Sequence, residues 1–227
     1  NLVTIGFTTY NSQDTIIRAL ISALNQDYEN IELLIVDDNS SDLTLKKIDS
    51  KLSKKNFKYR IIKHKLNLGV AAARNTLLKH ANGDFIAFFD SDDISNKNRI
   101  SKQINKIKNF EKLSLKLNRN HPTSPLCYTD RKIIFDERRK LFCKSIFIND
   151  KDYKFKQKLI GALLFCDTFP RRSIQGSTAT CTLCARVETI KLLDCFNPKL
   201  RRYEDLDLAI KAIKNDDVGL DIIYSGV

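Results

Sequence analysis

Methionine and tryptophan are both missing from this 227-residue chain. Without a Met at position 1, residue 1 is not the native initiator, and the chain is expected to be truncated at both ends. No apolar run approaches the roughly 18–20 residues of a membrane-spanning helix, and no basic–apolar–small leader opens the chain. These absences lead to the expectation of a cytoplasmic protein. No internal repeat and no linker composition breaks the sequence, so 1–227 is read as one domain. The six cysteines include one Cys-x-x-Cys pair, Cys181 and Cys184. Cys127, Cys143, Cys166 and Cys195 supply no second pair, so a zinc ribbon is excluded. The pair sits in an apolar, β-branched stretch (TATCTLCARV), where buried free thiols are expected.

Hydrophobic residues make up 42% of the chain, enough to build a substantial core and to exclude wholesale disorder. The net charge is +12. Such an excess fits nucleic acid, an anionic membrane surface or phosphorylated small molecules, and solvated lysine-rich helix faces account for part of it. Basic residues are not interleaved with aromatics as in a stacking platform for nucleic acid, so no nucleic-acid partner is expected.

In chain order, residues 2–8 (LVTIGFT) read as a strand. Residues 15–24 follow as a helix, with Ile16, Ile17, Leu20, Ile21 and Leu24 on one face. Residues 31–36 (IELLIV) are a second strand ending in Asp37, Asp38, Asn39 and Ser40. A helix over 43–52, a strand over 58–63, a helix over 70–79 and a strand from 85 complete the alternation. Strand–helix alternation with short loops argues for an α/β, mostly parallel sheet covered on both faces. Ligands of such sheets bind outside the carboxyl ends of the strands, where residues 8–11, 37–41 and 90–93 all fall. Farther on, 99–117 is a basic amphipathic helix, 126–128 and 132–135 are strands, and the latter leads into a charged turn. Residues 177–187 read as a strand, 187–193 as a short helix, and 219–224 as a last strand. Residues 146–169 carry no clear pattern.

The stretch 85–93 (FIAFFDSDD) ends a buried strand in Asp90, Asp92 and Asp93. Carboxylates so close raise one another's cost of ionising, and a divalent cation with a taste for oxygen relieves it. A solvated or helix-capping turn is the alternative that this run alone leaves open.

Five segments appear together: TIGFTTYN, ELLIVDDNSSD, NLGVAAARN, GDFIAFFDSDD and RRYEDLDL. In kind and order they resemble the family 2 glycosyltransferases of the GT-A fold, over nearly the whole chain. The resemblance implies a Rossmann-like, mostly parallel sheet with a nucleotide-binding half (1–95) and an acceptor-side half with a smaller mixed region (96–227). It implies that Asp90, Asp92 and Asp93 form the metal and ribose motif for Mn²⁺ or Mg²⁺, with Asp90 orienting the loop. It makes Asp38 the acceptor for the base ring N–H, while Thr8, Tyr10 and Asn11 line the base pocket. Gly69 permits close backbone approach, and Arg74 contacts base or diphosphate or braces a loop. On the acceptor side it makes Asp205 the general base and Glu204 its helper.

The implied activity is inverting transfer of a hexosyl or N-acetylhexosaminyl group from a nucleotide-sugar, UDP before GDP or dTDP. The implied acceptor is a hydroxyl of a glycan or lipid-linked glycan in bacterial surface polysaccharide synthesis. Work at the inner face of the plasma membrane, with peripheral contact to anionic lipid, is expected. The rival from another class is a catalytically silent nucleotide-sugar-binding domain of a larger protein. Family members usually continue past the Glu–Asp dyad with a loop that closes over the diphosphate.

Overall fold

The computed structural model describes residues 1–53, 57–116, 124–136, 138–144, 160, 177–215 and 222–224. Four strand–helix units come first: β1 (Val3–Thr9), α1 (Ile16–Leu24), β2 (Ile31–Asp37), α2 (Thr44–Leu52), β3 (Tyr59–Lys63), α3 (Val70–His80), β4 (Phe85–Asp90) and α4 (Arg99–Lys116). The second half supplies β5 (Leu126–Tyr128), a hairpin of β6 (Arg131–Ile134) and β7 (Lys140–Cys143), then β8 (Cys184–Arg186). After these come α5 (Val187–Leu192), α6 (Glu204–Lys214) and β9 (Ile222–Tyr224).

Seven strands form one sheet in the order β3-β2-β1-β4-β8-β5-β9, and β6-β7 stands apart as a two-stranded sheet. β8 alone among the seven runs antiparallel to its neighbours. The alternation of side chains along the central strands explains why both faces are covered. Val3, Ile5, Phe7, Leu33, Ile35, Phe85 and Phe89 point to the face packed by α1, α2 and α4. Leu34, Val36, Ile86 and Phe88 point to the face packed by α3, α5 and α6. β1 offers Gly6 beneath α3, where a Cβ would meet Leu77 Cδ1 at 3.0 Å, so the helix lies close against the sheet.

Two stretches differ from the sequence reading. Residues 177–187 do not form one strand: a 3₁₀ turn over Thr180–Thr182 precedes β8. The Thr182 hydroxyl donates to the Ala179 carbonyl at 2.8 Å, and Gln103 Nε2 takes the Thr182 carbonyl at 2.9 Å, bending a β-branched run that would otherwise extend. The charged turn after β6 is present as the tip of a hairpin, and the unexpected part is its second strand, which pairs Ile134 with Lys140 and Lys132 with Phe142. Residues 146–159, 161–169 and 219–221 of the earlier readings lie outside the described residues. Among the described residues no helix is long and apolar enough to cross a membrane.

Candidate active site

Strand register sets the row of residues at the carboxyl edge. Thr8 lies opposite Asp90, Thr9 opposite Asp37, and Asp37 opposite Lys63. Because β1 leads outward to β2 on one side and has β4 on the other, the sheet reverses direction of growth between β1 and β4. A crevice at that point is where α/β sheets take ligands.

Residues 91–93 leave β4 there. The turn is held from α1 and from the loop before it: Arg18 Nη2 donates to the Asp92 carbonyl at 3.1 Å, and the Ser12 and Ser91 hydroxyls lie 2.7 Å apart. From behind, the buried Arg99 fixes the end of β4 through the Phe88 carbonyl at 2.9 Å and stacks on Phe89 at 4.5 Å. Burial raises the Asp92 carboxyl above the ordinary carboxylate value, and the Asp93 and Asp90 charges raise it further against the opposing pull of Arg18. Ligand atoms of Asp90, Asp93 and Cys181 lie within 4.8 Å of one another. Burial likewise pushes the Cys181 thiol well up, with Asp90 and Asp93 adding to it. Negative charge is therefore crowded here, and the residues fit a divalent cation. The carboxylates suit Mg²⁺ or Mn²⁺, and Cys181 offers a softer atom that Mg²⁺ disfavours. Asp92, Asp93 and Cys181 face a cavity of about 880 Å³, walled on its far side by residues 131–134.

On the other side of Asp90, Tyr10 presents its ring half exposed at the end of β1. Asn11, at φ 45°, ties that end to the next loop: its Oδ1 accepts from the Ser41 N–H at 2.9 Å, and its own N–H donates to the Ser40 hydroxyl at 2.9 Å. Asp38 is buried. Its Oδ1 accepts from His64 Nδ1 at 2.7 Å and the Leu68 N–H at 2.9 Å, and its Oδ2 from the Gly69 N–H at 2.7 Å. A carboxylate has about four acceptor positions, so Oδ2 keeps one. Gly69 is held at φ 91°, where a Cβ would be strained and would lie 2.9 Å from Arg201 Nη1. The same Arg201 nitrogen donates to Asn67 Oδ1 at 3.2 Å, so Arg201, just before α6, lies over the 67–69 turn.

Arg74 joins the two halves of the site. Buried on α3, it donates from Nη1 to Glu204 Oε1 at 2.6 Å and from Nη2 to Asp90 Oδ1 at 3.4 Å. Its guanidinium carbon lies 5.5 Å from the centre of the Phe196 ring. Thr8 Oγ1 reaches the same Asp90 oxygen at 3.4 Å. The sequence reading offered Arg74 either to the donor or to a loop brace; its terminal nitrogens go to Glu204 and Asp90. Glu204 points inward to that bond. Asp205, half-buried in the first turn of α6, accepts the Leu206 N–H on Oδ1 at 2.8 Å. The Tyr128 phenol is fully buried, and burial followed by the Asp205 charge raises its proton affinity, against Arg74.

The family model for glycosyl transferase family 2 matches residues 4–163. The chain belongs to glycosyl transferase family 2. WfgD of Escherichia coli, named as a UDP-Glc:alpha-D-GlcNAc-diphosphoundecaprenol beta-1,3-glucosyltransferase, is 44% identical over 103 residues, which cover 45% of this chain and 40% of that one. The matches span about two fifths of the length of the curated relatives. S. aureus TarS 1-349, solved with UDP, superposes with a TM-score of 0.65 at 21% identity, covering all of this chain and 61% of that one. The mannosyltransferase PcManGT from Pyrobaculum calidifontis, solved with GDP-Man and Mn²⁺, gives 0.59 at 16%, covering 97% of this chain and 56% of that one. At such identities the likeness is one of fold.

Of the residues expected for a family 2 site, Thr8, Asp90, Arg74 and Glu204 form one connected network, and Asp38 and Gly69 form a second. Asp92 and Asp93 share the cavity wall instead. Sequence reasoning missed His64, which bridges Asp38 and the Thr76 hydroxyl, the latter at 2.9 Å. Its place just past the third strand, at the same edge as Asp38, was the available signal. It also missed Cys181 beside the carboxylates, for which no local motif exists.

Proposed function

We propose that this family 2 chain is the catalytic part of an inverting, divalent-cation-dependent glycosyltransferase. It moves a hexosyl or N-acetylhexosaminyl group from a nucleotide-sugar to a hydroxyl of a lipid-linked glycan. The observation that carries the reading is the Arg74 bridge, which ties the carboxylate ending β4 to the acidic pair opening α6. UDP is the preferred nucleotide, supported by the UDP-Glc in the name of WfgD and the UDP held by TarS. The diphosphoundecaprenol in the WfgD name supports a lipid-linked acceptor in bacterial polysaccharide synthesis, met at the cytoplasmic face of the membrane.

Tyr10 stacks on the base, and the open acceptor position on Asp38 Oδ2 takes its ring N–H. Asp90, Asp92 and Asp93 would hold the cation, Asp90 also orienting the turn. When bound, a Mn²⁺ or Mg²⁺ ion supplies electrostatic stabilisation of the charge that gathers on the departing diphosphate. Asp205 takes the proton of the acceptor hydroxyl as its oxygen bonds to the anomeric carbon and the bond to the diphosphate oxygen breaks on the opposite side. Glu204 acts through Arg74, as a positioning residue for the turn that carries Asp205.

The test is transfer from a panel of UDP-, GDP- and dTDP-sugars by the wild type and Asp205→Asn, with UDP affinity measured alongside. The substitution is expected to abolish transfer and leave UDP affinity intact. Unchanged turnover sinks the assignment of the base. UDP-sugar binding with neither transfer nor hydrolysis in the wild type favours the silent binding domain.

A further inference from the structure

The β6–β7 hairpin pairs only with itself in the described sheets. It exposes Ile134, Phe135, Leu141 and Phe142, each by 50–63% of its surface. Single exposed hydrophobics are ordinary, but four on one small hairpin, with Ile134 and Phe142 on the face that lines the cavity and Leu141 on the opposite one, mark an interaction site. Cations are set among them: Arg131–Cys143 holds five basic residues against two acidic ones. Cross-strand register places Lys132 beside Phe142 and Ile134 beside Lys140, so one face alternates apolar and cationic side chains. At the tip, Phe135 closes onto the Arg139 carbonyl at 3.0 Å, and Asp136 is engaged by Arg139 at 2.6 Å. Arg138 and Lys140 are exposed beside them.

We infer that this hairpin docks the protein on an anionic phospholipid bilayer, apolar side chains entering the headgroup boundary and cations meeting the lipid phosphates. This combination of buried apolar area and basic charge governs binding at membrane surfaces. Nucleic acid rewards phosphate contacts and stacking, and aliphatic Ile134 and Leu141 gain little there. A second copy of the chain would bring the same basic hairpin, on a protein of net charge +12, against its like. β6 also walls the cavity that Asp92 and Asp93 face. A hairpin seated in headgroups therefore holds the cavity mouth at the depth where a lipid diphosphate presents its sugar. That last step rests on the lipid-linked acceptor proposed above.

The test is flotation of the full chain with phosphatidylcholine vesicles, with and without phosphatidylglycerol, for the wild type and two double variants. One is Phe135→Ser with Leu141→Ser, the other Arg138→Glu with Lys140→Glu; none of the four lines the cavity. The wild type is expected to float with phosphatidylglycerol vesicles alone. The charge variant should bind at least about tenfold more weakly, since each basic residue near an anionic surface contributes a factor of about five. Both variants should keep the wild-type Tm and UDP affinity. Equal flotation with both vesicle types, or variants that float like the wild type, overturns the inference. So does hairpin-dependent binding to RNA in place of vesicles, or hairpin-dependent dimerisation. Transfer to a water-soluble acceptor separates the two readings. Its absence with vesicle binding intact counts against the proposed function alone, and its presence without vesicle binding against the hairpin alone.

Discussion

Replacing Arg74 with Met tests the bridge between the two halves of the site. Arg74 is 4% exposed and Glu204 8%, and their 2.6 Å contact lies away from water. Met fills most of the same volume and keeps contact with Phe196, so the change removes charge and hydrogen bonds with little cavity. Glu204 is then a buried carboxylate without its cation, and breaking such a pair costs about 3–5 kcal/mol. The longer Asp90 contact is more exposed and adds little. For a chain of this size each kcal/mol moves Tm by about 2–4 °C, so a fall of roughly 6–20 °C is expected. Urea unfolding followed by far-UV circular dichroism gives the free energy directly, there being no tryptophan to report it. Glu204→Leu placed on Arg74→Met should recover part of the loss, because both charges are then gone. A loss below about 1 kcal/mol, or single effects that add within about 0.5 kcal/mol, refutes the bridge.

Gly69→Ala should destabilise by about 1–3 kcal/mol, the cost of a side chain at an extended positive-φ conformation (φ 91°, ψ 163°) that essentially only glycine adopts, and should weaken UDP binding by loosening the N–H groups held on Asp38. Unchanged Tm and affinity would show that the 67–69 turn is not positioned by its φ of 91°. At the opposite edge of the sheet, burial disfavours the Glu32 charge, yet Thr4, the Asn82 N–H groups and Arg60 outweigh it and lower its carboxyl below the ordinary value. A depressed carboxyl contributes stability that is fully present above its unfolded value, near 4.3, and lost as pH falls through the folded one. Glu32→Gln should therefore cost about 1–3 kcal/mol at neutral pH, and urea midpoints of variant and wild type should converge in acid. A gap that persists at low pH contradicts that account.

The parallel half of the fold was legible because its strands and helices carry clean apolar periods: Ile100, Ile104 and Ile107 are buried on α4 as their spacing implied. The carboxylate turn after β4 and the acidic start of α6 were legible as local runs. Their connection was not, since Arg74 and Glu204 are 130 positions apart and neither side chain names its partner. β7 was missed for a different reason. All its residues but Cys143 are exposed and they follow a dense charge run, so nothing in burial or alternation sets it apart from a turn. In residues 177–187 the β-branched composition favoured extension, and hydroxyl-to-carbonyl bonding overrode it.

Titration of UDP into the full chain, with Mn²⁺, with Mg²⁺ and with the cation chelated, bears most directly on the proposed site. UDP is expected to bind with a divalent cation and to weaken sharply on chelation, and Asp92→Asn is expected to erase that dependence. Failure of both UDP and GDP to bind with either cation would contradict the account, as would equal binding by wild type and Asp92→Asn with the cation present.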